Sequence, residues 1–261
     1  MDLMTLIGTA VGLGVVVFVV VNGDIARFLL NAEAVILIFG GTFGSVLISY
    51  PYSALKHVPG ALKMMLFPPK RPPPLLLVST FVRLSEKARR EGTESLEGML
   101  SSLPHPFLQD CVQMLLDGLD KETIEDRCLR DIIATQHRHQ QVSGIFRSAG
   151  VYSPIFGLLG TLIGVVQVLR HIDTPSELAA SMAVAMTASF YGIFAANFFF
   201  LPIANKLSFY SSEEVINREL IAKGILSLQQ GEAPWLLSKK LEAYLTFQHR
   251  QGGAKGYRVE A

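Results

Sequence analysis

The sequence predicts an all-α integral membrane protein with four transmembrane helices. A helical cytoplasmic domain is inserted between the second and third, and a helical tail follows the fourth. Three observations predict this class. Half of the 261 residues are hydrophobic and only 17% are charged, which lies outside the usual soluble range. The apolar residues are clustered in long runs instead of alternating with polar ones, and the insertion between the second and third runs carries no alternating strand pattern or Asn-Gly hairpin signal. Four of the runs are free of charge and each is near or above the roughly 20 residues needed to cross about 30 Å of hydrocarbon.

The first run, Leu3 to Gly23, follows Met1-Asp2, which is not a basic leader, and no small-residue cleavage site succeeds it; it is expected to remain as a helix. The second run spans Ala34 to Leu55. Between them only Arg27 faces Asp24 and Glu33, whereas Lys56, Lys63, Lys70 and Arg71 follow the second run. The excess of positive charge there places that side, and both termini, in the cytoplasm. Residues Pro51 to Leu66 read as an interfacial amphipathic segment, with Leu55, Val58, Leu62 and Met65 at helical spacing. The proline-dense stretch from Pro68 to Pro74 then reads as a semi-rigid linker, because proline fixes φ and removes the backbone donor.

Helix resumes from Leu75 to Glu91 and stops at Gly92. Thr93 is placed as the N-cap of a short helix from Glu94 to Leu103. A further helix covers Pro106 to Leu116, and a long one begins near Lys121, its apolar positions being Ile124, Cys128, Ile132 and Ile133. That helix is expected to run unbroken into the third span, Ser148 to Leu169. A short external turn from Arg170 to Glu177 leads to the fourth span, Leu178 to Asn205. Helix then returns, with a stop at Gly231, a last helix from Pro234 to near His249 and a disordered tail from Gln251. The domain boundaries are accordingly 1–55 for the first two spans, 56–143 for the cytoplasmic domain, 144–205 for the last two spans and 206–261 for the C-terminal helices and tail.

Composition and motifs exclude several functions. The net charge of +1 comes without a clustered basic domain, so nucleic acid is not an expected partner. Ser153 and Ser189 have no His partner within the spans, and no nucleophile, base and orienter can be assembled, so an enzyme is not expected. His137 and His139 are two apart on a helix and diverge, and Cys111 and Cys128 share no ligand spacing; neither pair predicts a metal, and the cysteines read as buried free thiols. No organic cofactor is implied.

The third and fourth spans carry Ser153, Pro154, Thr161, Thr187, Ser189, Tyr191 and Pro202 but no Asp, Glu, Lys, Arg or His. Ions crossing hydrocarbon need a titratable or strongly coordinating group, commonly a carboxylate. Such a set of hydroxyls without an acid reads as half of an ion path, the acid being supplied by another chain. Gly157, Gly160 and Gly164 have the small-residue spacing of close helix packing. Thr161 and Ser189 are the hydroxyls placed toward a partner's carboxylate, although either can instead bond back to its own helix carbonyl. Taken by position alone, Pro154 reads as a first-turn residue and Pro202 as a helix terminator. Arg89, Arg90, Glu91, Glu94 and Glu97 form a charged edge around Gly92, either a solvated helix face or a docking surface.

In order along the chain, Met1-Asp2-Leu3, Arg89-Arg90-Glu91-Gly92 with Leu96-Glu97, Gly144-Ile145-Phe146-Arg147, Pro154 with Gly157-Leu158-Leu159-Gly160-Thr161, Met182-Ala183-Val184-Ala185, Tyr191-Gly192, Ala196-Asn197 and Pro202-Ile203-Ala204 resemble the MotA/PomA family of flagellar motor stator proteins. The resemblance covers Met1 to about Leu245. It implies an ion-conducting stator subunit in the bacterial inner membrane, forming a homo-pentamer around a dimer of a MotB/PomB-like partner whose single helix supplies the ion-binding Asp. It further implies that Arg89, Arg90 and Glu97 contact the rotor's switch-ring protein FliG, that Pro154 and Pro202 couple ion binding to movement, and that Thr161 borders the ion site. At Ala188-Ser189 the sodium-type members typically show Thr-Thr and the proton-type members Ala-Thr. Ala188 lacks the oxygen that would help coordinate dehydrated sodium, so H+ is favoured over Na+. The alternative is a TolQ/ExbB-like energy-transducing proton channel subunit, for which three spans would be usual; the pair of helices from Leu3 to Leu55 and the charged edge argue against it. A solute transporter would show an internal repeat, and none is evident.

Overall fold

The computed structural model describes residues 3–24, 26–68, 71–170 and 175–245, and every regular element among them is helical. Helix α1 is Leu3–Asn22, a span with no buried residue. A short α2, Ala26–Leu29, leads to α3, which covers Ala32–Ser49. Asn31 caps it, accepting from the Ala34 N–H at 3.0 Å. Helix α3 ends at Ser49, short of Leu55, because Pro51 forces Tyr50 into an extended conformation (φ −128°, ψ 135°). The expected single amphipathic segment is likewise two helices, α4 (Tyr52–Leu55) and α5 (Val58–Leu66), interrupted at Lys56 and His57.

Helix α6, Pro74–Glu91, opens with proline at its first position, where the missing donor costs nothing. It ends at Gly92, whose φ of +85° is a conformation that disfavours side chains. Thr93 does not cap an α-helix here. Residues Thr93–Ser102 wind as a 3-10 helix instead, in keeping with Ser95, Gly98, Ser101 and Ser102, which form α-helix poorly. Helix α7 is Pro106–Leu116, and α8 runs without a break through Lys121–Arg170, as the sequence led us to expect. Pro154 therefore lies inside α8 and not in a first turn.

Helix α9 runs Pro175–Ala195, loosens into a π-helical stretch at Ala196–Phe200 and continues as Leu201–Gln229. Pro202 thus fails to terminate the helix. The carbonyl four residues before it, on Phe198, sits in the widened stretch, where the i−4 bond that proline would break is already absent. A second π-helical stretch, Ile36–Gly40, lies within α3. Helix α10, Pro234–Leu241, tightens into a 3-10 turn at Glu242–Tyr244, after which Leu245 is extended; the last helix stops there, short of the expected end. His249 and the tail from Gln251 lie outside the described residues, as does most of the expected turn after Arg170.

The chain forms two compact units. The first, residues 1–69 and 139–209, contains the apolar spans. It is knit by Val46, Ala54, Ile145, Phe146, Ala149, Ala195, Phe200, Ala204 and Leu207, with Tyr50 and Ser148 hydroxyls 2.8 Å apart and those of Ser49 and Tyr152 2.9 Å apart. The second, residues 70–138 and 210–261, has a conventional apolar core that includes Leu77, Phe81, Leu84, Leu108, Ile124, Leu220, Ile225 and Leu237. A polar seam borders it. Glu214 bonds Arg71 at 3.2 Å and Arg218 at 3.0 Å; Arg218 also pairs with Asp131 and lies over the Phe107 ring at 5.0 Å.

Candidate functional site

The small residues of α8 meet small residues of α9 in antiparallel register. A Cβ added at Gly160 would lie 2.4 Å from the Ala188 Cβ, and one at Gly164 would lie 2.4 Å from the Ala185 Cβ. At the other end Gly157 faces Gly192: a Cβ on Gly192 would come within 2.9 Å of the Gly157 Cα and 2.7 Å of the Ser153 oxygen. The helices touch backbone to backbone along this line, as small-residue spacing permits. Ser153, fully buried, donates to the Gly192 carbonyl at 3.0 Å, so its hydroxyl also serves the seam.

The complementary residues Ala185, Ala188 and Gly192 were missed as a packing set by sequence reasoning. Their signal was present, since small residues separated by three and four positions mirror the four and three of Gly164, Gly160 and Gly157. Ala188 is fully buried with Ala34 and Ile38 of α3, while Leu37 approaches the same place: its Cδ2 would lie 3.1 Å from a Cβ on Gly160. Helix α3 is fixed to α8 through Gly41 as well, where a Cβ would meet the Phe156 ring at 2.4 Å.

The hydroxyls beside this seam differ in freedom. Thr161 donates to its own helix at the Leu158 carbonyl, three residues back and 2.6 Å away. Ser189 follows Ala188 and is half-buried, and its Cα is one of the atoms nearest Gly157. Tyr191 reaches the Leu29 carbonyl at 2.5 Å, tying α9 to the end of α2. Thr42 has a buried hydroxyl oxygen without a partner among the described residues. Pro154 sits half-buried one residue after Ser153, and Pro202 is exposed at the end of the π-helical stretch. Beside that stretch Phe194 stacks on Phe198 at 4.6 Å and meets Phe199 edge-on at 5.7 Å.

In the second unit Arg89, Arg90, Glu91, Glu94 and Glu97 are all exposed and form no ion pair among the described residues. Leu96, fully buried beneath them, anchors the 3-10 segment to the core. Nearby chemistry is structural. His105 caps α7 by accepting from the Phe107 N–H at 3.1 Å, and burial, followed by the positive charge of Arg218, holds its pKa below the ordinary 6.5. Cys111 and Cys128 are buried and free, and the fold brings their sulfurs to 3.4 Å. Among the described residues, no three His, Cys, Asp or Glu side chains converge as a metal site.

Comparison with known proteins agrees with this architecture. A model of the MotA/TolQ/ExbB proton channel family matches residues 100–249. Motility protein A of Bacillus subtilis (strain 168) is 34% identical, the match covering 96% of this chain and 93% of that protein. Chemotaxis protein PomA of Vibrio alginolyticus is 33% identical, with 94% and 96% covered. Among solved structures, the flagellar MotAB stator complex from Bacillus subtilis aligns with a TM-score of 0.87 at 33% identity, over 97% of this chain and 99% of that one. The C. jejuni MotAB structure, at 23% identity and a TM-score of 0.86 over 95% and 97%, shares the fold. On this match of sequence and fold, the chain belongs to the MotA/TolQ/ExbB proton channel family.

Proposed function

We propose that this chain is the membrane stator subunit of a flagellar motor, conducting ions together with a MotB/PomB-like partner and converting that flow into torque. The observation that carries the reading is the end-to-end likeness, at 33% identity, to a MotAB stator complex. The absence of any acid or base in the sequence of the last two spans agrees with it, because a partner must then bring the intramembrane Asp. Five copies would surround a partner dimer in the inner membrane with both termini in the cytoplasm. In this scheme Thr161 and Ser189 border the ion, Gly157, Gly160 and Gly164 keep α8 close to α9, and Pro154 and Pro202 pass the movement on. Arg89, Arg90 and Glu97 would push on the switch-ring protein FliG, a role suited by their exposure. Each unit charge crossing 100 mV yields about 2.3 kcal/mol, enough to bias a packed helical interface. No enzymatic step or bound cofactor is needed.

H+ is the favoured ion. Ala188 offers no oxygen, and its methyl is spent filling the space over Gly160. The test is to express the chain with and without a MotB/PomB-type partner in cells lacking stators. Swimming is expected only with the partner, with speed lost to a protonophore and insensitive to sodium. Swimming that follows sodium would reverse the choice of ion. Ion flux from this chain alone would remove the missing-acid reasoning.

A further inference from the structure

We infer that Cys111 and Cys128 form a reversible disulfide site, closed by a hydroperoxide and reopened by a thiol. The chain has two cysteines in all. They come from different helices, α7 and the start of α8, and the turn between them, with Gly118 at φ +75°, folds one back upon the other. Both are fully buried in the core of the second unit, with sulfurs 3.4 Å apart. A disulfide needs about 2.05 Å, so closure asks for a movement of little more than an ångström. That lies within the reach of side-chain rotation and a small shift of α7.

The same burial decides the course of oxidation. A thiol without a neighbour proceeds to sulfinic acid, whereas a thiol already touching a second one is captured as a disulfide. The hydrogen bond between the thiols favours Cys128 as the thiolate and disfavours it at Cys111. Cys128 sulfur attacks the peroxide: an S–O bond forms, the O–O bond breaks, and water or an alcohol leaves, giving sulfenic acid. Cys111 sulfur then attacks that sulfur, forming S–S as water departs. The two thiols lose two electrons and the peroxide gains them. In a reducing cytoplasm the thiol form is the resting state. Because both thiols are fully buried, oxidation requires transient opening of the core around them.

Membranes carrying the full chain would be treated with hydrogen peroxide, blocked with N-ethylmaleimide and analysed by mass spectrometry and on non-reducing gels. The expected product is a monomeric chain lacking two hydrogens and both maleimides, with Cys111 and Cys128 peptides linked, restored by dithiothreitol. Cys128→Ser should abolish the link and leave Cys111 to the maleimide or to stepwise oxidation. Cross-linked chains, or sulfinic acid at one cysteine beside a free thiol at the other, would overturn the inference. So would two intact thiols at a peroxide dose that oxidises an exposed cysteine introduced as Glu91→Cys.

Discussion

Replacing Gly160 with alanine tests whether the α8–α9 seam is set by backbone contact. The new methyl would sit 2.4 Å from the Ala188 Cβ, against about 3.5 Å or more for carbons in favourable contact. Neither atom can rotate away, since a Cβ is fixed to its backbone; the helices themselves must part by over an ångström. Leu37, whose Cδ2 would be 3.1 Å away, can yield more cheaply because it is the end of a flexible chain. Overpacking of this kind costs about 1–3 kcal/mol, offset by roughly 1 kcal/mol for exchanging Gly for Ala in a helix. The net expectation is a loss of about 0–2 kcal/mol, resting on the same two terms. Ala188→Gly alone should cost a similar amount, from one buried methyl at about 0.8 kcal/mol and the glycine penalty. The double variant moves one methyl across the seam, so its stability should return toward wild type. Unfolding midpoints of the detergent-solubilised protein, compared as a double-mutant cycle, give the answer. Purely additive effects, or a Gly160→Ala chain stabilised by the full ~1 kcal/mol of the glycine-to-alanine exchange, would refute the contact.

Other consequences can be checked independently. His105 caps α7 as a neutral acceptor and its pKa is lowered, so its contribution is complete above 6.5 and fades as pH falls below that value, when the unfolded chain takes up the proton first. His105→Asn, which keeps an acceptor without titrating, should flatten the pH dependence of unfolding below pH 6.5; an unchanged profile would count against this. Glu214→Ala leaves Arg71 and Arg218 facing each other with side chains 19% and 16% exposed, and should cost about 3 kcal/mol, the low end for a broken buried pair because Arg218 keeps Asp131. A loss of unfolding free energy of under a quarter of that would show the seam to be solvated. Arg89→Glu combined with Glu97→Lys should impair swimming at normal membrane levels of the protein, because neither residue holds an ion pair among the described residues; normal swimming would remove the rotor-contact reading.

The spans were legible because hydropathy and missing charge need no tertiary information. The π-helical stretches were not: in a segment apolar on all sides, a change of pitch leaves no mark on the pattern of residues. That blindness produced the misreading of Pro202, since a proline stops a regular helix but can follow a widened one. The Thr93–Ser102 segment failed for a different reason: a capping residue was visible, but the weak helix formers behind it were discounted. At the seam, the glycines of α8 were recognised by spacing, whereas Ala188 drew attention for the oxygen it lacks and its packing was overlooked. The meeting of Cys111 with Cys128 depends on the turn around Gly118, and seventeen residues of separation carry no hint of it.

The π-helical stretch at Ala196–Phe200 means that α9 contains one residue more than its path requires. A π turn takes up a single extra residue while the helix downstream keeps its facing. Deleting one residue inside the stretch would let it relax to ordinary helix and leave Ala204 and Leu207 on the core side. The same deletion between Ala185 and Ala195 would instead turn them by about 100°, away from Ile145 and Phe146. The helix thus has a spare letter, and its reading frame downstream is set there.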